Sequence, residues 1–250
     1  MINAKKRQEA FENVFVEAEK DPEVIGFVLG GGRGKGVATD RSDYDISIIV
    51  SDKNVSRAQK KYREGHYVTE VIDIHVFSLS DFRKYAAWGM PDHIHAYNFA
   101  HLVPQIDRTG EIKKLIEEKS KIPESEIHQY TSGQLDGFIN AYYRALKNNR
   151  DGNMLAAHLD AVESLSWLLS ALFGCAGRLR PYNKFLEWEL LKFPLPDFPW
   201  DEKEFLNQVK SILSTGDMKV MKSFYQIVKV FFLKKGYEKT IRGWDGYDLG

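Results

Sequence analysis

The sequence predicts an α+β domain with a small mixed sheet, followed by an all-α helical bundle. Short runs with strand composition occur in the first 110 or so residues, whereas apolar residues recur at helical spacing after that point. The 250 residues are also more than one compact core usually needs. We therefore predict a first domain at residues 1–122 and a second at residues 123–250, divided where the pattern changes.

The first domain is predicted to begin with a helix that Asp21 and Pro22 end. The apolar face of this helix consists of Phe11, Val14, Phe15 and Ala18. Strands are predicted at 24–29, 44–50 and 67–77, and the polar stretch between the last two is predicted to be a hairpin connection or a short helix. A fourth strand at 101–106 contains Pro104, which favours an edge position.

The second domain is predicted to contain at least three amphipathic helices. The apolar face of the first is Leu135, Phe138, Ile139, Tyr142 and Leu146. That of the second is Leu155, Leu159, Val162, Leu165, Leu169 and Leu172. That of the third is Met221, Phe224, Val228, Phe231 and Phe232.

Composition excludes several classes of protein. The 35 basic and 35 acidic side chains give a net charge of zero, which argues against disorder and against bulk electrostatic binding of nucleic acid. The single cysteine, Cys175, cannot form an internal disulfide and fits a reducing compartment, so we expect the cytoplasm. No apolar run reaches the roughly 18 residues of a membrane span, and we expect neither a span nor a secretion signal.

The segment from Gly30 to Val50, GGGRGKGVATDRSDYDISIIV, carries most of the functional signal. Glycines after a strand allow backbone amides to approach phosphate oxygens, because no Cβ intrudes, and Arg33 and Lys35 add positive charge there. A glycine cluster alone more often marks a turn. The glycines alone are therefore only a candidate phosphate site, and the prediction depends on the acidic residues that follow them.

Three carboxylates come after the glycines. Asp43 and Asp45 are two residues apart at the start of a strand, so alternation places both on one face, and paired carboxylates suit Mg²⁺. Asp73 lies in an otherwise apolar strand, which is costly unless the group is paired or binds metal. Alternation also places His75 on the face of Asp73, where it either lies near the site or is a packed core histidine. Asp-x-Asp alone is commonly a solvated strand end, but the ordered combination is less common by accident.

This combination resembles the nucleotidyltransferase superfamily of the DNA polymerase β type. The pattern GSRARGEAxxxSDxDL of the minimal nucleotidyltransferases aligns without gaps on the segment that begins at Gly31. Its matching positions are Gly31, Arg33, Gly36, Ala38, Ser42, Asp43 and Asp45. Gly32 stands where the family serine binds phosphate, and Gly34 replaces an alanine. The resemblance covers roughly residues 24–77.

The resemblance implies nucleotidyl transfer. A Mg²⁺-bound nucleoside triphosphate, expected to be ATP, is attacked at its α-phosphorus by an acceptor hydroxyl, and pyrophosphate leaves. Gly31, Gly32, Arg33 and Ser42 are expected to bind the nucleotide. Asp43 and Asp45 are expected to bind both Mg²⁺ ions, and Asp73 to bind the ion nearer the acceptor and to take its proton.

The helical domain resembles, in layout only, those of aminoglycoside and lincosamide nucleotidyltransferases and of minimal nucleotidyltransferases. Arg180 and Lys184 flank a turn and are expected to reach the triphosphate or its adenine across a cleft, or else to cap helices. Asp160 and Glu163 could bind a cationic substrate or act as the base, or could form a solvated flank. His93, His95 and His101 are expected to be structural.

The preferred function is ATP-dependent adenylylation of a small hydroxylated molecule, with an antibiotic-like acceptor as the family precedent. Adenylylation of a protein or RNA is the nearest alternative, although zero net charge disfavours RNA. A catalytically silent nucleotide-binding regulator is a third, because the loop serine is missing. Five Trp and fifteen Phe residues favour a homodimer, which light scattering would test.

Overall fold

The computed structural model of the protein describes residues 4–64 and 71–250. The chain divides into two units, Met1–Lys121 and Ile122–Gly250. Strands and helices alternate in the first unit, whereas helices are the only regular elements in residues 122–250, all of which are described. This arrangement confirms the predicted fold class.

The first unit is built around a four-stranded mixed sheet. Its helices are α1 (Ala4–Lys20), α2 (Gly31–Gly34), α3 (Val55–Ala58), α4 (Leu79–Lys84) and α5 (Glu111–Lys119). Its strands are β1 (Val24–Leu29), β2 (Tyr44–Val50), β3 (Ile72–Ser78) and β4 (Ile106–Asp107). The strand order is β3-β2-β1-β4, in which β2 and β3 are parallel and the other pairs are antiparallel.

Helix α1 covers one face of this sheet, as its apolar spacing predicts. Val14 and Ala18 are fully buried, and the ring of Phe11 stacks on that of Tyr44 with a centroid distance of 4.6 Å. Phe15 meets the ring of Phe27 edge-on at 5.3 Å. These contacts fix the face of β1 and β2 that is turned away from water, and so leave the opposite face for polar residues.

Two predictions for the sheet need correction, and one open alternative is decided. The strand predicted at 67–77 begins at Ile72, and its residues 67–70 lie outside the described residues. For the connection from β2 to β3, a hairpin is excluded because parallel strands require a crossover, and the predicted alternative of a short helix is confirmed over residues 52–64. The fourth strand occupies the predicted edge but is reduced to Ile106–Asp107, since Pro104 has no N–H to donate; the first amide bond to β1 comes from Gln105 to the carbonyl of Phe27 at 2.8 Å.

The second unit consists of helices packed around one apolar core. They are α6 (Ile127–Arg150), α7 (Met154–Cys175), α8 (Leu186–Lys192), α9 (Glu202–Thr215), α10 (Met218–Lys234) and α11 (Glu238–Arg242). The buried faces of α6 and α10 contain the residues predicted for them, apart from the partly buried Leu146. No helix in the described ranges is long and apolar enough to cross a membrane.

The predicted buried face of α7 is wrong in its first half. Leu155 and Leu159 are 74% and 62% exposed. Ala157 and Ala161 are buried in their place, because small side chains let α6 and α7 approach closely. In the first two turns of α7, the leucines therefore lie on a different side of the helix from the residues that are buried.

Candidate functional site

The glycine segment forms a tight turn against the second carboxylate. The Gly30 N–H donates to the main-chain oxygen of Asp45 at 2.7 Å, and the chain then turns through α2. Gly31 has a φ of +57°, and a Cβ there would lie 1.9 Å from Oδ2 of Asp45. Glycine suits this position for two reasons: it adopts the left-handed backbone conformation without strain, and it has no Cβ to collide with the Asp45 carboxylate.

Arg33 ties this turn to the segment that carries Asp43. Its guanidinium donates to the main-chain oxygens of Ser42 and Asp43, at 2.8 and 3.2 Å, and lies 4.0 Å from the ring centre of Tyr44. The Ser42 hydroxyl accepts from the Thr39 N–H at 2.9 Å. Arg33 and Ser42 thus hold the start of β2 in place.

Lys35 is buried, with 6% of its surface exposed. Its ammonium group donates to the main-chain oxygens of Tyr97, Asn98 and Ala100, the first two at 3.2 and 3.3 Å. The positive charge of Lys35, which was expected at the glycine turn, therefore lies in the interior of the unit. Lys35 joins the glycine turn to the 3₁₀ segment Pro91–Phe99.

Two of the three predicted carboxylates are neighbours on the sheet. Asp45 and Asp73 are register partners on the parallel strands β2 and β3, so their side chains share a face. Both line a cavity of about 290 Å³ together with Gly30 and Gly31. Asp43 precedes β2, is exposed and does not line this cavity. Within residues 4–64 and 71–250, no three His, Cys, Asp or Glu side chains gather into a metal-binding group.

His75 extends the carboxylate face of β3. Its Nε2 lies 3.2 Å from Oδ2 of Asp73, and its side chain is 56% exposed and lines the same cavity. Alternation along β3 predicted this shared face. The alternative of a packed core histidine is wrong.

The remaining wall of the cavity was not predicted from the sequence. Its side chains include Phe77, Tyr85, His95, Asn98 and Phe99. Phe77 lies in β3, whereas the other four lie in the stretch between β3 and β4, at the end of α4 or in the 3₁₀ segment, where no periodic pattern in the sequence assigns a side chain to a surface. His95, which the sequence suggested to be structural, belongs to this wall.

Backbone strain marks both edges of that stretch. Ala86 and His101 have φ values of +55° and +63°, and they are the non-glycine residues with positive φ in the described part of the first unit. Each adjoins a cavity-lining residue, Tyr85 and Leu102 respectively. Such conformations persist where the surrounding structure enforces them, and they are common at functional sites.

Burial and nearby carboxylates set the protonation of two groups near this wall. Burial, with smaller contributions from the charges of Asp92 and Asp73, raises the pKa of Tyr85, so its phenol stays neutral. Burial lowers the pKa of His93, whose ring meets Trp88 edge-on at 4.6 Å. His93 is therefore a packed, neutral side chain, in agreement with its predicted structural role.

The residues predicted in the second unit have partners within that unit. Arg180 donates to the main-chain oxygen of Ser166 at 3.2 Å and to Oδ1 of Asn183 at 3.1 Å, and burial lowers its pKa. Lys184 is exposed, with its ammonium 4.8 Å from the ring centre of Phe185. Arg180 thus braces the turn on which Lys184 stands.

Asp160 and Glu163 share one internal cation. Arg144 lies 3.0 Å from a carboxylate oxygen of Asp160 and 2.6 Å from one of Glu163. Asn148 also donates to Asp160 at 2.8 Å. Arg144 therefore offsets much of the negative charge of Asp160 and Glu163, the charge that would be needed to bind a cationic substrate.

Comparison with known proteins gives a match among solved structures. No family model matches the chain, and no curated protein does. The chain is similar in structure to a nucleotidyltransferase-like protein from Exiguobacterium sibiricum 255-15, with 14% sequence identity and a TM-score of 0.44. The match covers 94% of this chain and 74% of the other.

Proposed function

We propose that the protein is a Mg²⁺-dependent nucleotidyltransferase that transfers AMP from ATP to a hydroxyl of a small molecule and releases pyrophosphate. One observation carries this proposal. Asp45 and Asp73 lie side by side on one cavity, and the backbone of Gly31 abuts the carboxylate of Asp45. A phosphate held at the glycine turn would therefore lie next to two carboxylates.

The donor set is suited to magnesium. Mg²⁺ is usually held by one or two protein carboxylates together with water and substrate phosphates, so a closed cage of protein ligands is not required. Asp45 and Asp73 provide such a pair, and Asp43 adds a third carboxylate two residues before Asp45. Asp45 and Asp73 would hold Mg²⁺ beside the transferred group and so offset the charge that develops there. Asp43 is exposed and lies off the cavity, so it would join a two-ion site only if its side chain turned toward Asp45 when the metal binds.

The reaction forms one bond and breaks one. The acceptor oxygen bonds to the α-phosphorus, the bond from that phosphorus to the bridging oxygen breaks, and pyrophosphate leaves with the electron pair. The hydroxyl proton passes to the Asp73 carboxylate and then to water. Asp73 is favoured as the base over Asp160 and Glu163, because Arg144 pairs with both of those.

Two elements of the first unit would position the reactants. Arg33 fixes the backbone of Ser42 and Asp43, and Lys35 fixes the glycine turn against the wall that contains His95 and Asn98. Catalysis of phosphoryl transfer depends mainly on such positioning and on charge stabilisation.

Thermal unfolding with ATP tests the proposal. ATP at about 100 times its dissociation constant should raise the melting temperature of the wild type by about 5–10 °C, and only with Mg²⁺. Asp45→Asn should lose this shift, whereas Asp40→Asn, an exposed carboxylate in the same segment, should keep it. A wild type that no nucleoside triphosphate stabilises would overturn the proposal.

Turnover separates the proposed enzyme from its alternatives. With α-labelled ATP, pyrophosphate release and label in a small product support the proposed reaction. Label that stays on protein or RNA would identify a macromolecular acceptor instead. Stabilisation by ATP without any transfer of label would identify a nucleotide-binding regulator, for which the glycine at position 32 in place of serine is the motivating observation.

A further inference from the structure

Aromatic rings form a continuous wall on one side of the cavity. We name as the ring wall the side chains of His75, Phe77, Tyr85 and His95, which all line it. The centroid distances along this row are 6.1 Å from His75 to Phe77, 4.9 Å from Phe77 to Tyr85, and 6.1 Å from Tyr85 to His95. The planes of Tyr85 and His95 are within 14° of parallel.

The ring wall is rigid at its base and open at its ends. Phe82 is fully buried and packs against Phe77 at 5.7 Å, and Phe99 meets Tyr85 edge-on at 6.2 Å. His75 and His95, at the two ends, are exposed. A wall of this kind presents ring faces and edges to a ligand at little cost in side-chain entropy.

One end of the ring wall, His75, lies on the Asp73 side of the two carboxylates. His75 contacts Asp73 on β3, at one edge of the sheet, whereas the glycine turn comes after β1 and contacts Asp45. In an in-line displacement, the attacking and leaving oxygens lie on opposite sides of the phosphorus. With the triphosphate at the glycine turn, the acceptor approaches from the side of Asp73 and the rings.

We propose that the acceptor carries a planar unsaturated ring, which stacks on Tyr85 and His95 while its hydroxyl faces Asp73. This inference rests on the proposed function for the direction from which the acceptor approaches. The cavity of about 290 Å³ is at the small end of ligand sites, and a triphosphate at the glycine turn would fill part of it, so the remaining space favours an acceptor of one ring with a short hydroxyl-bearing arm. The neutral phenol of Tyr85 adds a hydrogen-bond donor to the stacking surface.

A matched pair of alcohols tests the ring requirement. 2-Phenylethanol and 2-cyclohexylethanol share the hydroxyl arm, and the saturated compound is the more hydrophobic, so hydrophobicity alone favours it. Ligand-observed NMR on the whole protein, without ATP or Mg²⁺, should show tighter binding of 2-phenylethanol. Tyr85→Leu and His95→Ala should each weaken that binding about tenfold, and His95→Phe should retain it.

Control measurements fix the assignment. Tyr247→Leu removes an exposed tyrosine from the second unit and should leave the binding of 2-phenylethanol unchanged. Because the His95 side chain is exposed, His95→Ala decides the outcome if Tyr85→Leu fails to fold. Binding of the alcohols needs neither nucleotide nor transfer, so a failure of the proposed function is seen separately in the ATP experiments.

Two results would overturn the inference. One is equal binding of the two alcohols, or binding of neither. The other is a loss of ATP affinity in Tyr85→Leu and His95→Ala that matches or exceeds the loss for 2-phenylethanol, since the rings would then bind the nucleobase and not the acceptor.

Discussion

The carboxylate of Asp45 lies so close to the backbone of Gly31 that a methyl group at position 31 would overlap it, at 1.9 Å from Oδ2. The next residue is different. A Cβ at Gly32 would meet its nearest atom, the Cα of Ala38, at 3.6 Å, which is ordinary van der Waals contact. Two adjacent glycines of one turn therefore differ in their tolerance of a side chain.

Gly31→Ala and Gly32→Ala form a matched pair. Gly31→Ala should lower the free energy of unfolding by about 1–3 kcal/mol, because alanine is strained at positive φ and displaces Asp45. It should also abolish the Mg²⁺-dependent stabilisation by ATP. Gly32→Ala should stay within about 0.5 kcal/mol of the wild type. Urea unfolding measures both, and equal losses in the two variants would contradict the contact between Gly31 and Asp45.

Gly32→Ser tests the role of the missing hydroxyl. The space beside Gly32 accepts a serine, whose hydroxyl would add a hydrogen bond to a phosphate at the turn. ATP should then bind about tenfold more tightly in the presence of Mg²⁺, as measured by titration calorimetry. Gly32→Ala is the control, because it adds the Cβ without the hydroxyl. An affinity for ATP that is the same in both variants would show that the triphosphate does not reach this position.

Lys35→Met tests the anchor between the glycine turn and the cavity wall. The substitution keeps an apolar stem as far as Cε but removes the ammonium group that donates to the carbonyl groups of Tyr97, Asn98 and Ala100. Loss of this donor from buried acceptors, of which Tyr97 keeps the Ala100 N–H at 3.1 Å, should lower the free energy of unfolding by about 2–4 kcal/mol in urea. Lys84→Met, at an exposed position, should change it by less than about 0.5 kcal/mol. A stable Lys35→Met variant would mean that water replaces the ammonium group.

Strand alternation predicted part of the site, but it failed for Asp43, which precedes β2 and lies off the cavity. The bounds of β1 and β2 are set directly by their β-branched runs, and period two places Asp73 and His75 on one face. The strand register that sets Asp73 beside Asp45 could not be predicted from the sequence, because pairing between strands depends on contacts between residues that are distant in sequence.

Two members of the ring wall, Tyr85 and His95, could not be predicted, for a different reason. Tyr85 follows the last turn of α4, next to the left-handed Ala86, and His95 lies in the 3₁₀ segment Pro91–Phe99, and no apolar spacing in the sequence assigns either side chain to a surface. In α7 the spacing rule itself misled, since Leu155 and Leu159 have the correct period but Ala157 and Ala161 make the contact. Packing between two helices selects the smaller side chains, and this choice depends on the partner helix.

Asp21 is buried and forms a cluster with Lys61 and the buried Tyr62, which lie in the helical segment Gln59–Glu64 after α3. Its carboxylate accepts from the Lys61 ammonium at 2.6 Å, from the Tyr62 hydroxyl at 3.0 Å and from the Glu23 N–H at 3.0 Å. Burial acts to raise the pKa of Asp21, but these hydrogen bonds and the charge of Lys61 outweigh it and hold the pKa below the ordinary value of 3.8.

The stability that Asp21 provides should disappear in acid. Because its pKa is lower in the folded protein, the unfolded chain binds more protons, so the contribution is complete above about pH 5 and is lost as the pH falls through the folded-state pKa. The difference in unfolding free energy between the wild type and Asp21→Asn should therefore shrink between pH 6 and pH 3 in urea titrations. Tyr62→Phe removes one donor, which should raise the pKa of Asp21 and move this loss to higher pH. A difference that is independent of pH would contradict an ionised Asp21 in the folded protein.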